Sequence, residues 1–490
     1  MSAPHENPDG STSRRLLPVL GLFSATALVV GEVIGSGIFL KPSQVAQATD
    51  GYVGLILTLW LVCGLVNLCG ALTLSELSAM LPHAGGTYIF LREAYGRLWA
   101  FLWGWAEFWV IRSGAIAALA AALAIFLGKL LEQIGFALPG QNWHTTEKII
   151  AVGAILLLAM VNIAGTHFGG AIQNLTTVIK ASFLVFLALL PLMAVHAQNR
   201  VDITPLWPPA DGRSLWWGLG SALAGIMWSY DGWGHVTVVA EEIKNPRRNV
   251  PLAMSGGVLL LIVLYLGANL GFHLTLTSAQ IAHSQAPAVD VTERLLPGFG
   301  ARLMTAMLMI SVFGALNSNI LVGPRVLFAL GRDHRFLQPL KRIDPRFNTP
   351  ALAIAILSAW SIVLILASDL PLILRGWLGT SATAGQSPKR LFDILTDYTI
   401  FGGSLFYFSA VVAVFVLRRK RPQLARPYRT WGYPLVPGIF VAAYVFLLFS
   451  MFMAAMTECL TGLLLIALGA IVYQAFAGRS SRGTEDANPA

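Results

Sequence analysis

The chain has 490 residues, 56% of them hydrophobic and only 12% charged, with a net charge of +9 at pH 7 and a mean hydropathy of +0.68. So little charge excludes a soluble multidomain protein and points to a polytopic membrane protein. The basic excess needs no nucleic-acid partner, because Lys and Arg gather in short loops, as they do at the cytoplasmic ends of membrane helices.

Residues 1–18 form a polar tail. Arg14-Arg15 ahead of the first apolar run imitates a twin-arginine or secretory signal. No small-residue cleavage site follows and many spans do, so the arginines are expected to hold the tail in the cytoplasm. Twelve apolar segments come next, at about 19–47, 54–81, 97–131, 147–166, 171–197, 216–243, 250–274, 298–331, 352–368, 393–417, 432–455 and 458–477, against the ~20 residues a spanning helix needs. With the N-terminus inside, Lys and Arg outside the spans favour the cytoplasmic side about two to one. Residues 478–490 are then a second cytoplasmic tail. Cys63, Cys69 and Cys459 show no C-x-x-C spacing and read as packing residues, with neither a disulfide nor a metal site implied.

The first segment is interrupted at Gly31-Glu32-Val33-Ile34-Gly35-Ser36-Gly37, where glycines weaken the helix and free backbone groups. Taken alone, the stretch would equally suit a close helix-packing patch. The sixth segment is interrupted too, at Asp231-Gly232 and Gly234. Irregular backbone at membrane depth is tolerated only where protein or a cavity receives it, so two such breaks predict a substrate site between them. Breaks in spans one and six predict two five-helix repeats, 19–197 and 216–417, separated by an extracellular loop at 198–215 and followed by two further helices in 418–477. The odd repeat length inverts the second copy. The expected fold is an all-α polytopic membrane protein: twelve transmembrane helices, a 5+5 inverted repeat and discontinuous helices 1 and 6.

The stretch G-E-V-I-G-S-G-I-F-L-K-P at 31–42, S-E-L-S-A-M-L-P-H-A-G-G-T-Y at 75–88, W-S-Y-D-G-W at 228–233 with E-E-I-K-N-P-R-R-N-V-P at 241–251, F-G-A-L-N-S at 313–318 and R-P-Y-R-T-W-G-Y-P at 426–434 resembles the amino-acid/polyamine/organocation superfamily. Within it the chain is most similar to the L-type amino-acid transporter branch and its bacterial serine/threonine-exchanger relatives, over about residues 17–475.

An α-amino acid is a zwitterion, so a dry site must offer donors to its carboxylate and acceptors to its ammonium. A half-helix starting near Ser36 and Gly37 presents free N–H groups and a positive dipole end, and the Ser36 hydroxyl adds a donor. The resemblance implies that Ser36 and Gly37 take the carboxylate and that main-chain oxygens of Val33, Trp228 and Asp231 take the ammonium, with Ser229 in the same substrate-binding stretch. It also implies that Trp228 is the aromatic gate over bound substrate; packing is the plainer reading of a membrane Trp. Asp231 departs from the eukaryotic members, which typically read Y-G-G-W. Its carboxylate is expected either to cap the second half-helix or to pair with the substrate ammonium.

Lys180 lies about nine residues into the fifth span, roughly 13 Å deep at ~1.5 Å per residue. Charges at that depth are rare and usually functional. The resemblance implies that its ammonium replaces the sodium ion of sodium-coupled relatives and reaches helix 1 near Gly31 and helix 8 near Ser311. Lys180 then either couples a proton to transport or is a permanently charged strut. Glu32 is the expected counter-charge.

Other charges read more plainly. Glu107 and Arg112, five apart, are expected to find partners on other helices. Glu76 resembles a packing motif near the cytoplasmic gate. Glu241 and Glu242 with Lys244, Arg247 and Arg248 read as a solvated cytoplasmic helix end. His83, His167 and His235 lack metal-ligand spacing, and no cofactor is expected. Gly128-Lys129 is not a phosphate-binding loop, and G-x-S-x-G and H-E-x-x-H are absent, which argues against a pump or an enzyme.

A secondary transporter of neutral amino acids follows, working as an exchanger or as a proton symporter, with a cationic amino-acid or polyamine transporter or a channel as remoter readings. In eukaryotic relatives a cysteine between spans three and four joins a glycoprotein; the stretch 132–146 contains none, so no such partner and a prokaryotic plasma membrane are expected. The segment 369–392 has no assigned role.

Overall fold

The computed structural model describes residues 16–136, 143–193, 203–204, 206–208, 215–367, 391–454 and 456–485. Among them regular structure is helical, and the extended pairing present is an isolated bridge between Leu20 and Ile243. The unassigned 369–392 segment, apart from its last two residues, lies outside the described residues, as do residues 1–15 and 486–490 of the two tails and most of the expected 198–215 loop.

Nine helices among the described residues are long and apolar enough to cross a membrane: Val53–Met80, Arg97–Gln133, Thr145–Ala164, Thr166–Pro191, Pro246–Thr275, Gly300–Asp333, Gly402–Lys420, Leu435–Met453 and Cys459–Phe476. Leu22–Val33 and Gly37–Ala48 make a tenth if counted as one span, bent by 42° at its break. Ala351–Leu366 is apolar but shorter. Large apolar side chains such as Leu61, Leu65, Leu259, Val263, Val363 and Phe449 are exposed. A soluble domain would hide such faces, whereas here they are the surface that lipid covers.

The first broken helix stops because the backbone turns at Ile34 (ψ 79°), and the Gly35 N–H bonds back to Val33 O at 2.8 Å instead of continuing the ladder. The chain restarts at Gly37 with Ser36 in the N-cap position. In the second broken helix, Leu215–Ser229 gives way to a 3-10 segment, Trp233–Glu242, through Gly232 at φ 114°, a conformation that glycine adopts without a Cβ penalty. Leu22–Val33 packs against the helices Thr166–Met193, Pro246–Thr275 and Gly300–Val322. Both breaks are thereby held inside the bundle, where helices meet around a core that includes Val33, Ile34, Ile226 and Tyr265.

Candidate functional site

The two breaks meet each other. A Cβ added to Gly37 would stand 2.8 Å from Ser229 Oγ and 2.9 Å from Ser229 Cα, so only glycine lets the half-helices approach this closely. Tyr265 ties them together, its hydroxyl 3.0 Å from Val33 O and 2.9 Å from Ser229 O. Sequence reasoning missed Tyr265. The available signal was a phenol in an apolar span, since a buried Tyr O–H requires a partner.

Between the breaks lies a cavity of ≈ 150 Å³, against the ~30 Å³ that a water takes up in the liquid. It suits a small solute. Val33, Ser36, Gly37, Trp228, Ser229 and Asp231 all line it, with Glu32, Trp103, Glu107, Arg112, His235, Asn319 and Tyr407 from the same and neighbouring helices. A larger recess, ≈ 1410 Å³, opens at the surface between Leu16, His83, Glu241 and Arg342 and touches neither break. Size alone would favour the recess; the freed backbone groups are all in the smaller cavity.

The cavity wall carries uncommitted polar groups. Glu32 Oε2, Trp103 Nε1 and Tyr407 OH are buried without a hydrogen-bond partner, which costs ~1–3 kcal/mol each unless a solute or water meets them. At the start of Gly37–Ala48 the N–H groups of Ser36, Gly37 and Ile38 have no intrahelical acceptor, while Phe39 and Leu40 already donate to Ser36 O at 3.2 Å. Val33 O accepts from Gly35 N–H and shares the single Tyr265 hydroxyl hydrogen with Ser229 O. Trp228 O takes the Asp231 N–H at 3.2 Å, which leaves one lone pair.

Lys180 is buried, and its Nζ donates to Gly31 O at 2.9 Å. Its stem meets the Gly300–Val322 helix at Gly314, where an added Cβ would stand 3.1 Å from Lys180 Cε. Ser311 sits one turn earlier and grips the break directly, with Oγ 3.0 Å from Ile34 O and 3.2 Å from Gly35 O. The expected convergence of Lys180 and Ser311 is thus two separate holds on the first break. Gly31, Lys180 and Ser311 lie behind the cavity wall.

Several expectations fail for identifiable reasons. Glu32 acts on Lys180 as a counter-charge only through space; its Oε1 meets His235 Nδ1 at 3.2 Å, Asn319 Nδ2 at 3.1 Å and Arg112 Nη1 at 3.5 Å. Successive helical residues point about 100° apart, so the Gly31 carbonyl and the Glu32 side chain address different neighbours. Arg112 does find a partner on another helix, Asn319 Oδ1 at 2.7 Å, but it also pairs with Glu107, Nε to Oε2 at 2.9 Å, because Glu107–Ile111 is a π-helical turn. The i→i+5 spacing of such a turn puts residues five apart on one face. Asp231 does not cap: Gly232 holds the N-cap position and no side-chain cap bond is made. Glu242 is no solvated end, being 1% exposed and bonded to Arg325 Nε at 2.7 Å.

The Glu242 end of the second broken helix is tied to its neighbours. Arg325 Nη2 reaches Glu242 Oε2 and Thr166 Oγ1, both at 2.9 Å, while Leu20 N donates to Glu242 O at 2.9 Å. Glu76 is fully buried and receives Arg418 Nη2 at 2.6 Å and the Thr430 N–H at 2.7 Å. His83 stands 3.7 Å from Glu241, and among the described residues no group of His, Cys, Asp and Glu could hold a metal ion.

A multi-pass helical bundle with a small-solute cavity between two broken helices is a membrane transporter, in which a solute is held by backbone at the middle of the bundle. The amino acid permease family matches residues 20–474, and the chain belongs to that family, within the amino-acid/polyamine/organocation superfamily. It is 30% identical to the serine/threonine exchanger SteT of Bacillus subtilis (strain 168), covering 93% of this chain and 95% of the relative. The human b(0,+)-type amino acid transporter 1 is 29% identical, over 93% of this chain and 87% of its own. The mouse large neutral amino acids transporter small subunit 2 is 28% identical, over 96% and 82%. The protein is a transporter and not an enzyme.

Proposed function

We propose that the protein exchanges neutral L-amino acids across a prokaryotic plasma membrane by alternating access. The observation that carries this is the cavity at the paired breaks, which sets helix-start N–H groups at Ser36 and Gly37 beside carbonyl acceptors of the second break. The substrate carboxylate sits on Ser36 and Gly37. Its ammonium lies on the main-chain oxygens of Val33, Trp228 and Asp231, with Ser229 in the floor and Trp228 as the gate. Similarity to an exchanger and to transporters of neutral amino acids supports the mode and the substrate class.

The architecture in this reading has twelve spans in a 5+5 inverted arrangement, the sixth being Leu215–Ser229 with Trp233–Glu242 and the ninth Ala351–Leu366. Both tails lie in the cytoplasm, supported by the excess of Lys and Arg on that side. The Glu242 end is then the cytoplasmic one, held by the Arg325–Glu242 pair. Lys180 fixes the first break through Gly31 O, either as a structural tie or as the group that couples a proton to transport. The chain works without a heavy-chain glycoprotein, since residues 132–146 contain no cysteine through which one could be linked.

Radiolabelled L-serine uptake into proteoliposomes, with and without internal L-serine, tests the mode. Uptake that needs internal substrate is expected. Uptake into empty vesicles driven by an inward proton gradient, and lost in Lys180→Ala, would replace exchange with proton symport through Lys180.

A further inference from the structure

A zwitterion is common to every α-amino acid, so what the breaks bind cannot tell one amino acid from another. The remainder of the cavity wall contains a missing side chain. Gly403 lines the cavity from the helix Leu391–Lys420, and a Cβ added to it would find no described atom within 4 Å. Its neighbour Gly402 faces elsewhere, an added Cβ there standing 3.4 Å from Ile111 Cδ1. In other spans an added Cβ would run into Phe440 at Gly70, Leu330 at Gly104 and Leu187 O at Gly271, so close packing requires those glycines. No such neighbour among the described residues requires Gly403, although glycine weakens a helix relative to alanine. The space that a side chain would fill there is cavity.

The same face of that helix carries unused hydrogen-bonding capacity. Tyr407 is one turn beyond Gly403, where residues four apart share a face and a side chain leans back over the preceding turn. Tyr407 and Trp103 both line the cavity and are 5% and 3% exposed, and neither the Tyr407 hydroxyl nor Trp103 Nε1 has a partner among the described residues. Trp103, from the span Arg97–Gln133, packs on Phe406 with ring centroids 5.1 Å apart, which holds it against the helix of Gly403. Open volume beside Gly403 and two unpaired donors in the same wall suit a side chain that is short and polar.

We propose that Gly403, Tyr407 and Trp103 form a side-chain subsite that takes a short side chain carrying a hydrogen-bonding group. Gly403 sets the length that fits, because the side chain of the substrate occupies the volume that glycine leaves. The Tyr407 hydroxyl and the Trp103 N–H bind the polar tip. An apolar side chain of equal shape leaves them unpaired, which is how a buried polar site rejects an isostere. The subsite rests on the reading of this cavity as the amino-acid site and adds to it a rule for the side chain.

Competition against radiolabelled L-serine counterflow in proteoliposomes tests it. In the parent protein L-threonine should compete about 2- to 13-fold better than its isostere L-valine, the worth of one hydrogen bond. Tyr407→Phe should cut that preference at least about twofold. It should not lower the unfolding midpoint of the substrate-free protein, because the hydroxyl it removes bonds to no group among the described residues. Gly403→Ala should weaken L-threonine relative to L-alanine by about 10- to 200-fold, the effect of one surplus methyl in a fitted pocket. Gly35→Ala also adds a methyl to open space in the wall, but beside Ser36 and Gly37, and should weaken L-alanine and L-threonine alike. Three results overturn the subsite and leave transport standing: equal competition by L-threonine and L-valine in the parent, a Tyr407→Phe variant with the parent's preference or a lowered midpoint, and a Gly403→Ala variant that is unstable or does not separate L-threonine from L-alanine. Absence of L-serine counterflow in the parent overturns the transport reading and the subsite with it.

Discussion

Replacing Arg325 by Met tests the clamp at the end of the bundle where Glu242 lies. The Arg325 side chain is wholly buried and Glu242 is 1% exposed, with Nε–Oε1 at 2.7 Å and Nη2–Oε2 at 2.9 Å. Thr166 adds a donor to Glu242 Oε2 at 2.5 Å. Truncating one partner strands the other's charge, which costs ~3–5 kcal/mol, whereas replacing both by groups of similar volume is close to neutral. At roughly 2 °C per kcal/mol for a chain of this size, Arg325→Met should lower the unfolding midpoint by roughly 6–10 °C. Glu242→Gln should do the same, and the double variant should recover most of the loss. The assay is unfolding of the purified protein followed by tryptophan fluorescence, run as a double-mutant cycle. A double variant less stable than either single one would refute the reasoning, because the pair would then contribute independently of each other's charge.

Gly37→Ala sets a methyl 2.9 Å from Ser229 Cα, which cannot rotate away; an overpacking cost of ~1–3 kcal/mol should raise the KM for L-serine counterflow by about 5- to 150-fold. A parent-like KM would mean that the breaks are not held at this distance. Tyr265→Phe removes the hydroxyl shared by Val33 O and Ser229 O, worth ~0.5–1.5 kcal/mol net, and should raise KM by about 2- to 10-fold with the protein still monodisperse. Lys180→Met removes the donor to Gly31 O, a charge-assisted bond of ~1.5–3 kcal/mol, and should cut counterflow by at least about tenfold at every pH. Equal transport in Lys180→Met and the parent would show that the first break holds its shape without the lysine.

Much of the molecule was legible in the chain because its causes are local. Span length follows from runs of apolar residues, as with Val53–Met80 against the expected 54–81. The breaks at 34–36 and 230–232 follow from glycine and from the lack of side chains to hold a helical ladder. The six residues expected at the substrate site all reach one cavity for the same reason, since they are the breaks themselves.

Partners were not legible, because a partner is a matter of which faces meet. Glu32 was expected as the counter-charge of Lys180 and acts on it through space, but its direct partners, His235, Asn319 and Arg112, come from helices that the chain order does not announce. Glu107 and Arg112 pair only because one turn is π-helical, which no periodicity in the apolar pattern announces. Tyr265 looked like any aromatic in a span, and Glu242 like a solvated helix end, until the fold set the first on two freed carbonyls and buried the second on Arg325. The sequence by itself determined a membrane-spanning helical chain and where its helices break, because hydrophobic run length and backbone propensity act between near neighbours. Only the tertiary structure decided which charges balance one another, because in a low-dielectric interior that depends on distances between helices far apart in the chain.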